Sequence, residues 1–169
     1  MKKHEITMKV NGEMRSVIVE PNDVLHDVLR EKLGIKSPKI GCERGDCGAC
    51  TILLNGRTVR SCLVLAIEAD GCEIVTVEGL GETLTPLQQA FLDNNAFQCG
   101  FCAPGMILTA TELLQKNPTP DDDEIKEGIS GNLCRCTGYQ PIVDAIRTVS
   151  RSGKSGGRGK SGRSGRPHE

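Results

Sequence analysis

Tryptophan is missing from these 169 residues, and aromatic side chains are scarce altogether: three Phe and one Tyr. A core of stacked rings is thereby excluded. Any interior must come from Leu, Ile, Val and Ala, and small domains built that way gain from some further cross-link. No run approaches the ~18 apolar residues of a transmembrane helix, and the opening MKKHEITMKVNG has no apolar segment behind its lysines. Neither a membrane span nor a secretory leader is expected, which points to the cytoplasm. Also absent are the glycine fingerprint G-x-G-x-x-G, a P-loop, and any paired carboxylates or nucleophile with its base. No substrate-converting site is expected in this chain, and catalytic residues are expected to be none.

Cysteine, by contrast, is abundant: there are nine. In a reducing compartment dense thiols bind metal more often than they form structural disulfides, and an odd count cannot pair completely. Charge is uneven. The formal net charge is −1, but 151–169 carry six Lys or Arg against one Glu. That segment, RSGKSGGRGKSGRSGRPHE, is nearly all Gly, Ser and base, and is expected to be a disordered basic tail.

The first half has strand signals. EITMKV and RSVIVE flank Asn11-Gly12, and CTILLNGRTVRSC holds two strands around Asn55-Gly56, both hairpin turns; EIVTVEG is a last short strand. NDVLHDVLREKLG has one apolar helical face and a glycine at its end. A hairpin, a crossing helix and further strands make the order of a β-grasp domain, placed at 1–79. The second half, 80–150, has helix signals. Thr85 and Gln88 form a capping box with Pro86 at the first helical position, Pro104 opens a second helix, an acidic turn opens a third, and QPIVDAIRTV has one apolar face. The fold class expected is α+β, a β-grasp domain followed by a small all-α four-helix domain.

Eight cysteines form two quartets. Cys42, Cys47, Cys50 and Cys62 are spaced C-x4-C-x2-C-x11-C. The first three have the spacing of plant-type 2Fe–2S ferredoxins, and Gly41, Gly45 and Gly48 would let backbone with positive φ wrap a compact cluster. Zinc sites more often join two C-x2-C-like pairs. Cys99, Cys102, Cys134 and Cys136 are spaced C-x2-C-x31-C-x-C, and this pattern suits zinc or a 2Fe–2S cluster equally. Cys72 belongs to neither quartet and reads as a buried small hydrophobe. His26 falls on the polar side of its helix, and neither it nor His4 has partners for a metal site.

The stretches GCERGDCGACTILLNG, QCGFCAPGMI and SGNLCRCTGYQPIVDAI resemble the signatures of the iron–sulfur subunit of the xanthine oxidase family, the molybdenum hydroxylases. The resemblance spans about residues 4–149 and implies one 2Fe–2S cluster in each domain. It implies that Gln98 and the ligand Cys136 lie against a molybdopterin in a large partner subunit, with the β-grasp cluster nearer a medium FAD-binding subunit. Electrons would pass from molybdenum through both clusters to FAD or another acceptor, and a C–H bond would be oxidised with water as oxygen source. The subunits would form a heterotrimer, open to dimerisation, with no nucleic acid bound. The alternatives are a free-standing two-cluster ferredoxin and a zinc-stapled interaction module. Purines, N-heterocycles, aldehydes, aromatic thioesters and carbon monoxide all remain open as substrates.

Overall fold

The computed structural model describes residues 2–155, with side chains through Arg151. Strands β1 (His4–Val10) and β2 (Glu13–Val19) meet at Asn11-Gly12, whose φ angles of 51° and 88° are those of the tight turn that asparagine and glycine tolerate. β3 (Thr51–Leu54) and β4 (Arg57–Arg60) repeat the device at Asn55-Gly56. With β5 (Glu73–Val75) they form one sheet in the order β2-β1-β5-β3-β4, in which β1 and β5 are parallel. Helix α1 (Leu25–Asp27) continues into a wider π-turn over Val28–Lys32 and covers one sheet face. Leu25, Val28 and Leu29 meet Ile6, Met8, Val10, Ile52 and Ile74 there.

His26 departs from its expected place. It is 3% exposed, not on a polar side. The chain returns over that side: Leu25 N–H donates to Val64 O at 2.8 Å, and Ala66 N–H donates to Asp23 O at 2.7 Å. Cys72 is only half-buried, with Asn55 Nδ2 3.4 Å from its sulfur.

Four helices follow: α2 (Pro86–Asp93), α3 (Ala103–Lys116), α4 (Asp122–Ile129) and α5 (Gln140–Ser155). Thr85 caps α2 as its sequence indicated, its oxygen taking Gln88 N–H while Gln88 answers the Thr85 N–H. Phe91, Met106, Ile125, Ile129, Ile142 and Ile146 share a second core, separate from the first. α5 extends to Ser155, so the first residues of the segment read as a tail are helical; adding a turn to a formed helix costs far less than starting one. Residues 156–169 lie outside the described residues.

The halves lock together where α3 crosses β3 and β4. The buried Glu112 of α3 accepts hydrogen bonds from Thr58 N–H at 3.0 Å and Thr58 Oγ1 at 2.5 Å. Burial works to raise the pKa of Glu112, but hydrogen bonds from Lys116 and Thr58 outweigh it and hold the carboxyl below its usual range.

Candidate metal centres

The loop 41–50, between the π-turn and β3, carries Cys42, Cys47 and Cys50, and β4 delivers Cys62 beside them. Cys50 and Cys62 sulfurs are 3.2 Å apart, and the Cys42 and Cys47 thiols form a second pair. Amides of Arg44 and Cys47 both point at Cys42 Sγ, at 3.4 Å each. These N–H groups, Arg44 first, bring the Cys42 thiol down to about 7. Burial comes first in raising Cys47 and in pushing Cys62 up to about 11, with neighbouring thiols adding to it. Two glycines bend the loop with positive φ, Gly45 at 84° and Gly48 at 69°. Gly41, expected to be a third, has no positive φ. A Cβ there would sit 3.0 Å from Cys47 Sγ, so its smallness clears space for the thiol, and the nearby left-handed residue is Glu43.

The second quartet comes from two helix junctions. Cys99 precedes α3 and Cys102 caps it, while Cys134 and Cys136 lie on the loop before α5. Cys99 and Cys136 sulfurs are 3.6 Å apart, and Cys102 pairs with Cys134. Burial pushes Cys102 up to about 12. Cys134 is half-buried, and the Thr137 hydroxyl, 3.2 Å from its sulfur, with nearby amides outweighs the effect of burial and lowers it. The Phe101 N–H lowers Cys99, while its partner Cys99 raises Cys136.

Each quartet therefore presents two thiol pairs. Among the described residues no three Cys, His, Asp or Glu side chains converge as one metal ion requires. A tetrahedral zinc site needs four ligands about one point, whereas a 2Fe–2S cluster takes a pair of thiolates on each of two irons. Thiols that repel one another when ionised, in a loop with amides aimed at sulfur, suit a cationic iron pair that relieves the repulsion. The residues present fit such clusters in both halves.

The two sites adjoin. A cavity of ≈ 300 Å³ is lined by Cys47 of the first quartet, by all four cysteines of the second, and by Phe101 and Arg135. Leu133 N–H donates to Cys47 O at 2.9 Å, so a single hydrogen bond connects a cysteine of one quartet to the neighbour of Cys134 in the other. Exposed Gln98 donates from Nε2 to Cys136 O at 3.1 Å, which ties the bend before α3 to the loop before α5.

Residues 8–74 match the family described as 2Fe-2S iron-sulfur cluster binding domain, and 76–147 match the 2Fe-2S binding domain. The nicotinate dehydrogenase small FeS subunit of Eubacterium barkeri is 54% identical over 149 residues, covering 87% of this chain and 95% of that one. The chain belongs to the iron–sulfur subunits of the xanthine oxidase family. A second relative, the nicotine 6-hydroxylase small subunit of Paenarthrobacter nicotinovorans, is 53% identical over 143 residues, 84% of this chain and 87% of that one. The structure of quinoline 2-oxidoreductase from Pseudomonas putida 86 superposes with a TM-score of 0.87 at 50% identity, over 92% of this chain and 99% of that one. As a member of this family the chain is the electron-transferring subunit of a multi-subunit molybdenum hydroxylase. It carries two 2Fe–2S clusters and leaves substrate conversion to partner subunits.

Several residues of the iron–sulfur subunit gave no signal in its sequence. Asn132, Arg60 and Tyr139 have no metal-ligand chemistry, yet they organise the loops between the quartets. Tyr139 Oη accepts the Cys134 N–H at 2.9 Å and reaches Asn132 O at 3.4 Å. The only clue to them was their closeness in sequence to cysteines. Arg135, between two of those cysteines, is exposed.

Proposed function

We propose that this subunit works between a large molybdopterin-binding chain and a medium FAD-binding chain in the cytoplasm, in a complex that hydroxylates an N-heteroaromatic ring. In this reading 1–79 and 80–150 are its two cluster-bearing domains. Cys42, Cys47, Cys50 and Cys62 hold one 2Fe–2S cluster, and Cys99, Cys102, Cys134 and Cys136 hold the other. The single observation that carries the ligand assignment is the division of each quartet into two thiol pairs. No helix among the described residues is long and apolar enough to cross a membrane.

When bound, each cluster would accept and give up one electron. The chain's own residues do the rest. Amides of Arg44 and Cys47 stabilise sulfur charge at the first site, and the Thr137 hydroxyl does so at the second. Gln98 holds the Cys136 carbonyl in place on the exposed face, where a pterin would approach. In this reading the cluster of the 41–50 loop is the one nearer the flavin. The substrate class is supported by the names of the three relatives above, which act on nicotinate, nicotine and quinoline.

In the complex purified with its partner subunits, quinoline or nicotinate should bleach the visible absorbance of the clusters within seconds, while benzaldehyde should not. Bleaching by benzaldehyde alone would overturn the substrate class. A chain that purifies without partners, with both clusters intact, would favour the free-standing ferredoxin.

A further inference from the structure

The side chain of Asn132 is 1% exposed and lies in the seam between the two quartets. Its Nδ2 donates to Gly48 O at 3.0 Å and faces Thr51 Oγ1 at 3.3 Å. Its Oδ1 accepts from Thr109 Oγ1 of α3 at 2.9 Å. One amide thus grips the first cysteine loop, the start of β3 and the helix that follows Cys102. Arg60 makes a second grip from the other side. Its Nη1 donates to Thr51 Oγ1 at 2.7 Å, its Nη2 to Gly131 O at 2.6 Å, and its Nε to Gly45 O at 3.3 Å. Between these grips runs the one hydrogen bond from Leu133 N–H to Cys47 O.

Neither side chain is a thiol, and neither touches a sulfur in the hydrogen bonds above. Both contact backbone within two residues of a cysteine in the first half and, directly or through Gly131 and Asn132 itself, the backbone leading to Cys134 in the second. We propose that Asn132 and Arg60 are positioning residues that set the electronic contact between the two clusters by holding Leu133 N–H on Cys47 O. The proposal rests on the two-cluster reading. Their polar atoms are spent on main-chain carbonyls and two buried hydroxyls, those of Thr51 and Thr109, so the geometry they impose is rigid. Thr51 Oγ1 already donates to Gly48 O at 2.6 Å and receives Arg60, so it has no proton left to offer a carboxylate in place of the Asn132 amide.

Asn132→Asp keeps the shape and the Thr109 contact but turns the donor into an acceptor facing Gly48 O and Thr51 Oγ1. Arg60→Lys keeps the charge and loses the fork. Glu112→Gln, which loosens a different contact between the same halves, is the control. The experiment compares these variants with wild type in the assembled complex. Four quantities are read: iron and sulfide content, the magnetic splitting between the two reduced clusters in EPR, the rate of transfer between the clusters after rapid mixing with substrate, and hydrogen exchange of the 131–136 segment. Wild-type iron and sulfide are expected in all variants. Asn132→Asp and Arg60→Lys should weaken the splitting, slow transfer between the clusters by about tenfold and speed exchange at Leu133. Glu112→Gln should do none of these.

Unchanged splitting and exchange in both seam variants would overturn the proposal. Loss of iron from them would overturn it too, because it would make the pair assembly residues. An equal effect of Glu112→Gln would reduce them to general packing. A wild-type chain without two clusters would instead sink the underlying reading.

Discussion

In Cys47→Ser, substrate should still reduce the helical-half cluster, but onward delivery of electrons to the flavin should fall by about 100-fold or more. Replacing groups that merely orient ligands already costs ~10–100-fold in metal affinity, and this change removes a ligand itself. Cys47 has two roles in the structure. Its thiol pairs with Cys42, and its carbonyl receives the Leu133 amide. Serine leaves the carbonyl in place and replaces a soft sulfur by a hard oxygen that suits iron–sulfur chemistry poorly. The loss should therefore be confined to the first site. Rapid mixing with substrate, followed by absorbance and EPR for each cluster, separates the two steps. Gln98→Ala should give the mirror image, since Gln98 supports Cys136 of the other quartet and is no ligand. Both clusters should assemble, and their first reduction should slow. If Cys47→Ser blocks the first reduction and Gln98→Ala affects only the flavin, the order from helical half to β-grasp half is reversed.

Gly48→Ala should be strongly destabilising. Gly48 has φ of 69°, and a Cβ there would lie 2.6 Å from both Asn132 Nδ2 and Gly131 O. A left-handed alanine costs ~1–2 kcal/mol from backbone alone. Displacing Asn132 strands buried hydrogen-bonding groups at about 1–3 kcal/mol each. The combined loss is on the order of 3–5 kcal/mol, or roughly 10 °C in thermal midpoint for a chain of this size. Gly56→Ala supplies the comparison. Its φ of 78° is equally unfavourable, but a Cβ there meets nothing within 4 Å. It should cost only the backbone part. Thermal scans by circular dichroism of both variants give the difference, and equal midpoints would show that the seam between the halves tolerates expansion.

The secondary structure was legible largely because its punctuation is local. Asn11-Gly12, Asn55-Gly56 and the Thr85–Gln88 box work through residues at most three apart, so their sequence carries their geometry. The cysteine quartets were legible for a different reason: thiol spacing of this density has few uses in a chain of this kind. Burial of His26 was not legible, because it depends on a segment some forty residues later folding back over α1. Helical periodicity describes one element and says nothing of what crosses it. The left-handed backbone at Glu43 was equally hidden, since a non-glycine residue there reflects the closure of the whole loop. The seam built from Asn132, Arg60 and Thr51 is the deepest of these gaps. An asparagine and an arginine are ordinary in any sequence, and the contacts that make them a seam, Arg60 with Gly131 and Asn132 with Gly48 and Thr51, exist only where the two halves meet.

The most direct measurement is the iron, acid-labile sulfide and zinc content of the full chain purified without oxygen, read together with EPR of its reduced form. Two 2Fe–2S clusters in eight paired thiols require iron and sulfide each to approach about four per chain, with two distinct reduced signals. Stoichiometric zinc without sulfide, or iron and sulfide at about two with a single signal, would contradict a two-cluster electron relay.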